Sequence, residues 1–237
     1  MQAILARIDA KKKDLTKAKF FQFLQDKNIH PLQRMAWVPC YAPLAMSFAD
    51  LNKYFLRKEP TNSEIQEIIN KQTYEEATHY VWFLHDLQAL EFDQPQPLSD
   101  TLKFLWGEET QKIRLTCTQI ATMTANADPA IVLVAIEAIE ATAHIIFTHT
   151  RQVARELQQI TNQKCYFFGD SHSNVETGHA IGATDMEDFL RGIQLSQRQS
   201  IHAIDIVEKI FTIVEEFLDE LVKYAENHPI AHKLNVT

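Results

Sequence analysis

The chain has 237 residues, 46% of them hydrophobic, which is enough to bury one sizeable core and favours a single domain over residues 1–237. Its formal net charge of −8 argues against nucleic acid as a partner, and five glycines with eight prolines are too few for the many tight turns of an all-β protein. The three cysteines (Cys40, Cys117 and Cys165) are scattered and odd in number, which predicts packed, unpaired thiols in a reducing cytoplasm.

No segment has the pattern of a signal peptide or a membrane span. Residues 1–15 mix apolar side chains with Arg7, Asp9 and three lysines, unlike the apolar region of a signal peptide. The longest apolar stretch, around residues 130–136, ends at Glu137 and is too short to cross a bilayer. We therefore expect a soluble, cytoplasmic protein that does not act at a membrane.

The spacing of apolar residues predicts long helices separated by short breaks. A first helix is expected over residues 2–26. A second helical region should begin at Pro31 and end near Arg57. Pro39 and Pro43 are expected to kink or interrupt it, because proline lacks an amide donor.

Capping residues and prolines set the limits of the next two helices. The segment 60–64 combines a proline, capping side chains and an early acid, which predicts a third helix from there to about Leu90. The prolines of residues 93–97 end it. A fourth helix is expected from about Ser99 to about Ala125.

The second half of the chain predicts two long helices around a short one. Asp128-Pro129 is a cap followed by proline at the first helical position, which predicts a fifth helix reaching about Ile160. A short, polar helical segment is expected over residues 170–179. The last and longest helix should begin at residues 182–185, and the tail over about 229–237 should be loosely attached.

The sharpest local signal is His172-x-x-x-Glu176-x-x-His179. On a helix that turns about 100° per residue, Glu176 lies about 40° and His179 about −20° from the direction of His172, so the three side chains share one stripe. Their neighbours are too polar for an ordinary core. The pattern indicates metal ligands, and the alternative is an exposed polar turn.

A second polar stripe surrounds His79 in the third predicted helix. Gln72, Glu75 and Glu76 precede His79 on this stripe, and Asp86 follows it. The helix is otherwise apolar, so the stripe needs partners when it is buried. A structural histidine with surface acids explains this stripe as well as a ligand role does, and both interpretations stay open. The aromatic residues Tyr80, Trp82 and Phe83 are interpreted as core, with the wall of a pocket as the alternative.

The fifth predicted helix carries the third set of polar residues. Residues 130–146 are almost wholly apolar, with the exception of Glu137, Glu140, Thr142 and His144. Carboxylates in such a helix are costly unless they are paired or bound to a metal. We therefore expect a role near a metal or a polar substrate.

These three sets together predict a metal centre in a helical bundle. Glu76-x-x-His79 and Glu176-x-x-His179 lie on different helices, and carboxylate and imidazole ligands without a thiolate favour iron or manganese over structural zinc. Pairs of this spacing with extra carboxylates are how helical bundles hold two irons. Such a site would bind dioxygen and direct oxidation at a substrate.

The order His79, Glu140, His172-x-x-x-Glu176-x-x-His179 resembles the haem-oxygenase-like diiron oxidases and oxygenases, including the CADD-like proteins. The resemblance implies an all-α, single-domain haem-oxygenase-like bundle of about seven helices. It also implies that His79, Glu140, His172, Glu176 and His179 are ligands of one or two iron ions, with manganese as an alternative. No haem is expected, since Pro31 after His30 merely marks a turn. A homodimer is implied as well.

The sequence departs from the family pattern at Gln72. The family places a glutamate seven residues before the early histidine, where this chain has glutamine. Either Glu75 or Glu76 takes its place from the neighbouring turn, or one iron site is weakened.

Three functions follow from these patterns. The first is an iron-dependent oxidase or oxygenase that uses dioxygen on a small organic molecule, as in the CADD-like proteins. The second is a metal-poor, small-molecule-binding relative of the thiaminase-like and pyrroloquinoline-quinone-synthase-like proteins, which Gln72 favours. The third is a ferritin-like diiron bundle, against which the region around Pro39 and Pro43 and the number of helices count.

Overall fold

A computed structural model describes residues 1–172 and 184–230 of the chain, with side chains for 1–172 and 188–230. Those residues form eleven α-helices, one π-helical turn and one 3-10 turn, and they include no β-strand. The all-α fold class is therefore confirmed. The predicted number of helices was too low, because most of the long predicted helices are divided.

The α-helices, in chain order, are α1 (Gln2–Leu15), α2 (Lys19–Gln25), α3 (Pro31–Arg34), α4 (Val38–Asp50), α5 (Glu64–Glu76), α6 (Tyr80–Ala89), α7 (Leu98–Leu105), α8 (Gln111–Thr124), α9 (Pro129–Thr161), α10 (Thr184–Gly192) and α11 (Gln197–Asn227). The π-helical turn Leu51–Leu56 continues α4, and the 3-10 turn Glu108–Thr110 precedes α8. Residues 170–172 are also helical.

Helix starts that carry a local signal lie where the sequence predicts them. The Asp128 carboxylate accepts a hydrogen bond from the Ala130 amide at 2.9 Å, and α9 begins directly after it. The Ser63 hydroxyl caps α5 by accepting from the Gln66 amide at 3.3 Å. His30 caps α3 in the same way, since its Nδ1 accepts from the Leu32 amide at 3.2 Å.

The first predicted helix, residues 2–26, is divided after Leu15. The amides of Lys17 and Ala18 bond to carbonyls three residues back, which tightens the chain and ends α1. The new direction of α2 lets Phe20 and Phe21 both be buried. The third predicted helix is divided in the same manner, because the His79 amide bonds to the Glu76 carbonyl at 3.3 Å between α5 and α6.

The fourth and last predicted helices are also divided. Trp106 and Gly107 separate α7 from the 3-10 turn and α8. Ser196 starts α11 anew through a capping box with Gln199, so α10 and α11 are separate helices. The longest helix is α9 with 33 residues, whereas the last helix has 31.

The second predicted helical region is interrupted at residues 35–37, directly before the first turn of α4 that holds Pro39, so the predicted interruption is confirmed there. Pro43 does not interrupt the region. Pro39 lies in the first turn of α4, where a missing amide hydrogen costs nothing, and Pro43 lies inside α4 without ending it. The regular helix α4 ends at Asp50, where the π-helical turn begins.

The core is built around α9, which packs against α1, α2, α3, α5, α8 and α11. By length and composition α9 could span a membrane, but 72% of its most apolar window is buried inside the protein. That burial is the expected position of a core helix, and it makes a soluble protein plausible. The three cysteines are free and buried, as predicted.

The start of the C-terminal tail is tied to the bundle. The Ile230 amide donates to the Gln33 side-chain oxygen at 2.6 Å. Residues 231–237 lie outside the described residues.

Candidate metal centre

A cavity of about 80 Å³ lies inside the bundle between α4, α8, α9, α11 and the junction of α5 with α6. Most of its wall is apolar, formed by residues that include Leu44, Phe48, Ile120, Ile146, Ile210, Val214 and Phe217. The charged and imidazole groups in the wall are Glu76, His79, Glu140 and His172. The cavity therefore has a polar cluster within an otherwise apolar chamber.

Three of these residues form a compact, buried cluster. Each of Glu76, His79 and His172 offers one ligand atom within 4.8 Å of the other two, and all three are buried. Nδ1 of His79 lies 3.0 Å from Oε2 of Glu76 and 3.2 Å from Nε2 of His172. A carboxylate and two imidazoles thus converge at one point, although His172 is 93 residues away from His79 in sequence.

The junction between α5 and α6 explains how Glu76 and His79 meet. Glu76 is the last residue of α5, and His79 directly precedes the first residue of α6. The Trp82 amide bonds to the His79 carbonyl at 3.0 Å, so α6 begins with another tight turn. The two side chains therefore stand on a turn rather than within one regular helix.

The backbone fixes the orientation of His172. Nδ1 of His172 lies 2.9 Å from the carbonyl oxygen of Phe167. A carbonyl can only accept, so this contact assigns the imidazole hydrogen to Nδ1 and leaves the lone pair of Nε2 directed at His79. A metal-binding histidine is commonly held by a backbone contact of this kind.

Aromatic rings enclose the two imidazoles. Trp82 stacks on His79 with ring centroids 4.7 Å apart and an interplanar angle of 13°. Phe147 and Phe167 lie against His172 at centroid distances of 4.1 and 4.9 Å. These rings keep bulk water away from the cluster, and interactions between charges are stronger there than in solvent.

Glu140 lies beside the cluster on α9 and is bonded to Gln72. The Gln72 side-chain amide donates to Oε1 of Glu140 at 2.8 Å. The residue that breaks the family pattern therefore contacts Glu140, which the resemblance predicts as a ligand. Gln72 is itself buried.

The structure distinguishes the two candidates that could replace Gln72. Glu76 joins His79 and His172, whereas Glu75 is not part of the cluster. Oε2 of Glu75 is buried and has no hydrogen-bond partner among the residues that the structure describes. Glu176 and His179, from the sharpest sequence signal, lie outside the described residues.

Glu137 is not among the described residues that line the cavity. Its Oε1 is buried without a hydrogen-bond partner in that part of the chain. Burial raises the pKa of Glu137 to about 7. The carboxylate was expected near a metal or a polar substrate, but in the described structure its burial favours the protonated form instead.

His144, one turn after Glu140, is absent from the described cavity wall. Burial lowers its pKa, and the positive charges of Lys12 and Arg151 lower it further. These conditions favour a neutral imidazole outside the cluster.

The distances within the cluster are those of hydrogen-bonded side chains, and they also suit ligand atoms that share a metal ion. A first-row metal bound at about 2.1 Å by imidazole or carboxylate places adjacent ligand atoms about 3.0 Å apart. The separations of 3.0 and 3.2 Å around His79 have this size. The donor set holds no thiolate, since the three cysteines do not line the described cavity, and oxygen and nitrogen donors suit iron or manganese.

Sequence reasoning did not anticipate several residues of the site. Tyr41 on α4 and Thr116 on α8 line the cavity, and neither carries a sequence signal that separates it from ordinary core. Of the three predicted aromatic residues, Tyr80 lines the cavity, Trp82 stacks on His79 and Phe83 is fully buried in the core. The contact of Trp82 with His79 could have been found from their spacing of three residues on one helix face.

Solved structures match nearly the whole chain. A TenA homologue from Pseudomonas syringae pv. tomato covers 94% of this chain and 92% of its own, with 16% sequence identity and a TM-score of 0.69. A domain of unknown function with a haem-oxygenase-like fold, from Shewanella denitrificans, covers 95% of this chain and 91% of its own, with 15% identity and a TM-score of 0.64. This chain has the haem-oxygenase-like fold.

The haem-oxygenase-like fold is the one that the sequence resemblance implied, and it takes the place of the ferritin-like alternative. At these identities the likeness shows the fold alone, because one fold hosts many activities. No protein-family profile and no curated protein matches the sequence. Within the haem-oxygenase-like fold, function has to be argued from the cluster and its cavity.

Proposed function

We propose that the protein is a non-haem iron oxidase or oxygenase that uses dioxygen to oxidise a small, largely apolar organic molecule. The observation that carries the proposal is the buried cluster of Glu76, His79 and His172, whose ligand atoms converge within 4.8 Å. Glu140 stands at the same cavity and supplies a further carboxylate. Glu176 and His179 complete the proposed ligand set by their spacing from His172.

The cavity supports an apolar substrate. The hydroxyls of Thr116 and Thr142 donate to the helix carbonyls of Lys112 and Ile139 at 3.1 and 2.7 Å, so they do not offer donors to the chamber. Aliphatic and phenyl groups make up most of the remaining wall. A substrate bound there would bury an apolar body and place its reacting end at the cluster.

The residues around the cavity would have different roles in the reaction. Glu76, His79 and His172 would hold the ion, and Phe167 would keep the Nε2 lone pair of His172 pointed inward through its carbonyl. Iron bound there would supply the electrons with which dioxygen is reduced. The apolar wall would exclude water and so protect the oxidising site from unproductive reactions.

Anaerobic reconstitution with Fe2+ tests this proposal. We expect at least one iron per chain after removal of excess metal, and oxygen uptake on exposure to air together with a candidate apolar substrate. Purified protein that takes up neither iron nor manganese would contradict the proposal. Light scattering of the same sample would check the expected homodimer, which stays a prediction.

A second candidate function rests on Gln72. Its amide occupies Oε1 of Glu140, which weakens the case for a second iron, and one matching structure is that of a TenA homologue. The alternative is a metal-poor protein that binds a small molecule in the same cavity. Iron content per chain separates the two candidates before any substrate is known.

The variant Gln72→Glu should distinguish a native two-iron site from an incomplete one. A glutamate there would face Glu140 at the distance of the present hydrogen bond, 2.8 Å, and two carboxylates so close repel each other unless a proton or a cation lies between them. We expect the metal-free variant to lose about 1–3 kcal/mol of unfolding free energy. Added Fe2+ should restore that stability, with one more iron bound per chain than in the wild type.

Gln66→Glu is the matched control for that variant. Gln66 is buried on the same helix, and its amide donates to the Leu56 carbonyl and to Asn70, away from the cavity. This variant should lose stability without gaining iron. If Gln72→Glu behaves like Gln66→Glu in Fe2+, position 72 does not limit metal binding.

A further inference from the structure

Asp86 is a fully buried carboxylate that binds the chain segment leading to His172. It lies on α6 with 0% of its surface exposed. Its Oδ1 accepts a hydrogen bond from the Tyr166 amide at 2.6 Å, and its Oδ2 accepts one from the Phe168 amide at 2.9 Å. Both oxygens are thus engaged by the loop that follows α9.

The anchored loop also orients the imidazole of His172. Phe167 lies between the two anchored amides, and its carbonyl is the partner of His172 Nδ1. The His172 amide in turn donates to the Tyr166 carbonyl at 3.2 Å. The Phe167 carbonyl that holds His172 therefore belongs to the same peptide group as the Phe168 amide that Asp86 binds.

Asp86 and His79 are carried by the same short stretch of chain. They are seven residues apart, with His79 directly before α6 and Asp86 within it. Phe83, between them, is fully buried and contacts Phe167 and Phe168 at centroid distances of 5.6 and 6.1 Å. The stretch that presents His79 therefore also holds the loop that presents His172.

The two amide hydrogen bonds compensate for the burial of Asp86. Burial raises the pKa of Asp86, while the Phe168 and Tyr166 amides and the nearby His85 lower it. A carboxylate with no exposed surface is costly unless its oxygens accept hydrogen bonds.

We propose that Asp86 is a positioning residue that fixes the loop 166–168 and thereby holds the Nε2 lone pair of His172 toward His79. It acts through the Phe167 carbonyl and does not touch the cluster itself. The effect of Asp86 on iron binding rests on the proposed function. The effect of Asp86 on the orientation of His172 is independent of that function, because the orientation is a property of the metal-free protein.

The test compares Asp86 with a carboxylate that makes the same kind of contact elsewhere. Glu220 on α11 accepts hydrogen bonds from the amides of Lys112 and Ile113 at 3.1 and 3.0 Å. The variants are Asp86→Asn and Asp86→Ala, matched by Glu220→Gln and Glu220→Ala. Asp86→Asn keeps one acceptor and nearly the same shape, so it serves if Asp86→Ala does not fold.

The readout is the tautomer of His172 in metal-free protein labelled with 15N-histidine, with its signals assigned by their loss in His172→Gln. We expect the Nδ1–H pattern in the wild type and in both Glu220 variants, and its loss or mixing with the Nε2–H pattern in the Asp86 variants. Asp86 variants that melt lower yet keep the Nδ1–H pattern would reduce Asp86 to a loop anchor and overturn the inference.

Iron binding gives the second readout. In Asp86→Asn the dissociation constant for Fe2+ should rise about 10- to 100-fold, as expected when a group behind a metal ligand is removed, and Glu220→Gln should leave it unchanged. If the wild type binds no iron, the proposed function fails, and the tautomer measurement still decides the role of Asp86. Equal iron affinity in Asp86→Asn and the wild type would contradict the inference.

Discussion

Replacing His79 with alanine should weaken Fe2+ binding by at least about 100-fold, the upper range seen when only a supporting group is lost. His79 is the central member of the cluster, since its Nδ1 lies 3.0 Å from Glu76 and 3.2 Å from His172. Without His79, Glu76 and His172 lose the ligand atom that lies close to both of them. Anaerobic calorimetric titration with Fe2+ measures the loss, and oxygen uptake should fall with it.

His149→Ala is the matched control for that experiment. His149 is a partly buried histidine on α9 whose ring packs on Phe21 at 4.6 Å and whose Nδ1 lies 2.8 Å from the Ile145 carbonyl. Both variants lose an imidazole from the bundle, but only His79 belongs to the cluster. Iron affinity should therefore persist in His149→Ala. Equal affinities in the two variants would show that iron binds elsewhere.

Glu137→Gln should stabilise the protein at neutral and alkaline pH. The pKa of Glu137 is raised by burial from 4.5 to about 7, so between these pH values the unfolded chain releases the proton while the folded protein keeps it, and the stability of the folded protein falls. The wild type should lose this contribution between pH 4.5 and 7, whereas the glutamine variant has no charge to bury. The variant should match the wild type near pH 4 and exceed it by up to about 3 kcal/mol at pH 8, at about 1.4 kcal/mol per pH unit.

Urea unfolding of both proteins at several pH values measures this difference. Asp9→Asn, at an exposed carboxylate on α1, is the control, because it removes a carboxylate that the folded protein does not bury. A flat difference for Glu137→Gln would mean that interactions in the folded protein offset the effect of burial, so that the pKa of Glu137 is not raised. In that case Glu137 has a partner, as the sequence first suggested.

The sequence was most informative where one local signal decides the structure. Asp128-Pro129 placed the start of α9, because a capping carboxylate and a proline act on the residues next to them. The division between α5 and α6 was missed because Ala77-Thr78-His79 holds neither glycine nor proline. Packing of distant parts sets that turn, and helix propensity within a short window cannot report it.

The same distinction applies to the candidate site. Spacing alone placed Glu76 and His79 on one stripe, but their meeting with His172 depends on the packing of segments 93 residues apart. The sequence marks Asp86 as a charged residue in an otherwise apolar helix. Its hydrogen-bond partners are main-chain amides, which every non-proline residue possesses. No pattern of side chains could have named them.

The anchor formed by Asp86 has a consequence for recognising relatives of this protein. Packing constrains the fully buried side chain of Phe168, but the two hydrogen bonds need only amide hydrogens at positions 166 and 168 and exclude only proline there. The constraint falls instead on the acid at position 86 and on the length of the loop. Two chains could therefore share these two hydrogen bonds although their side chains at positions 166 and 168 differ.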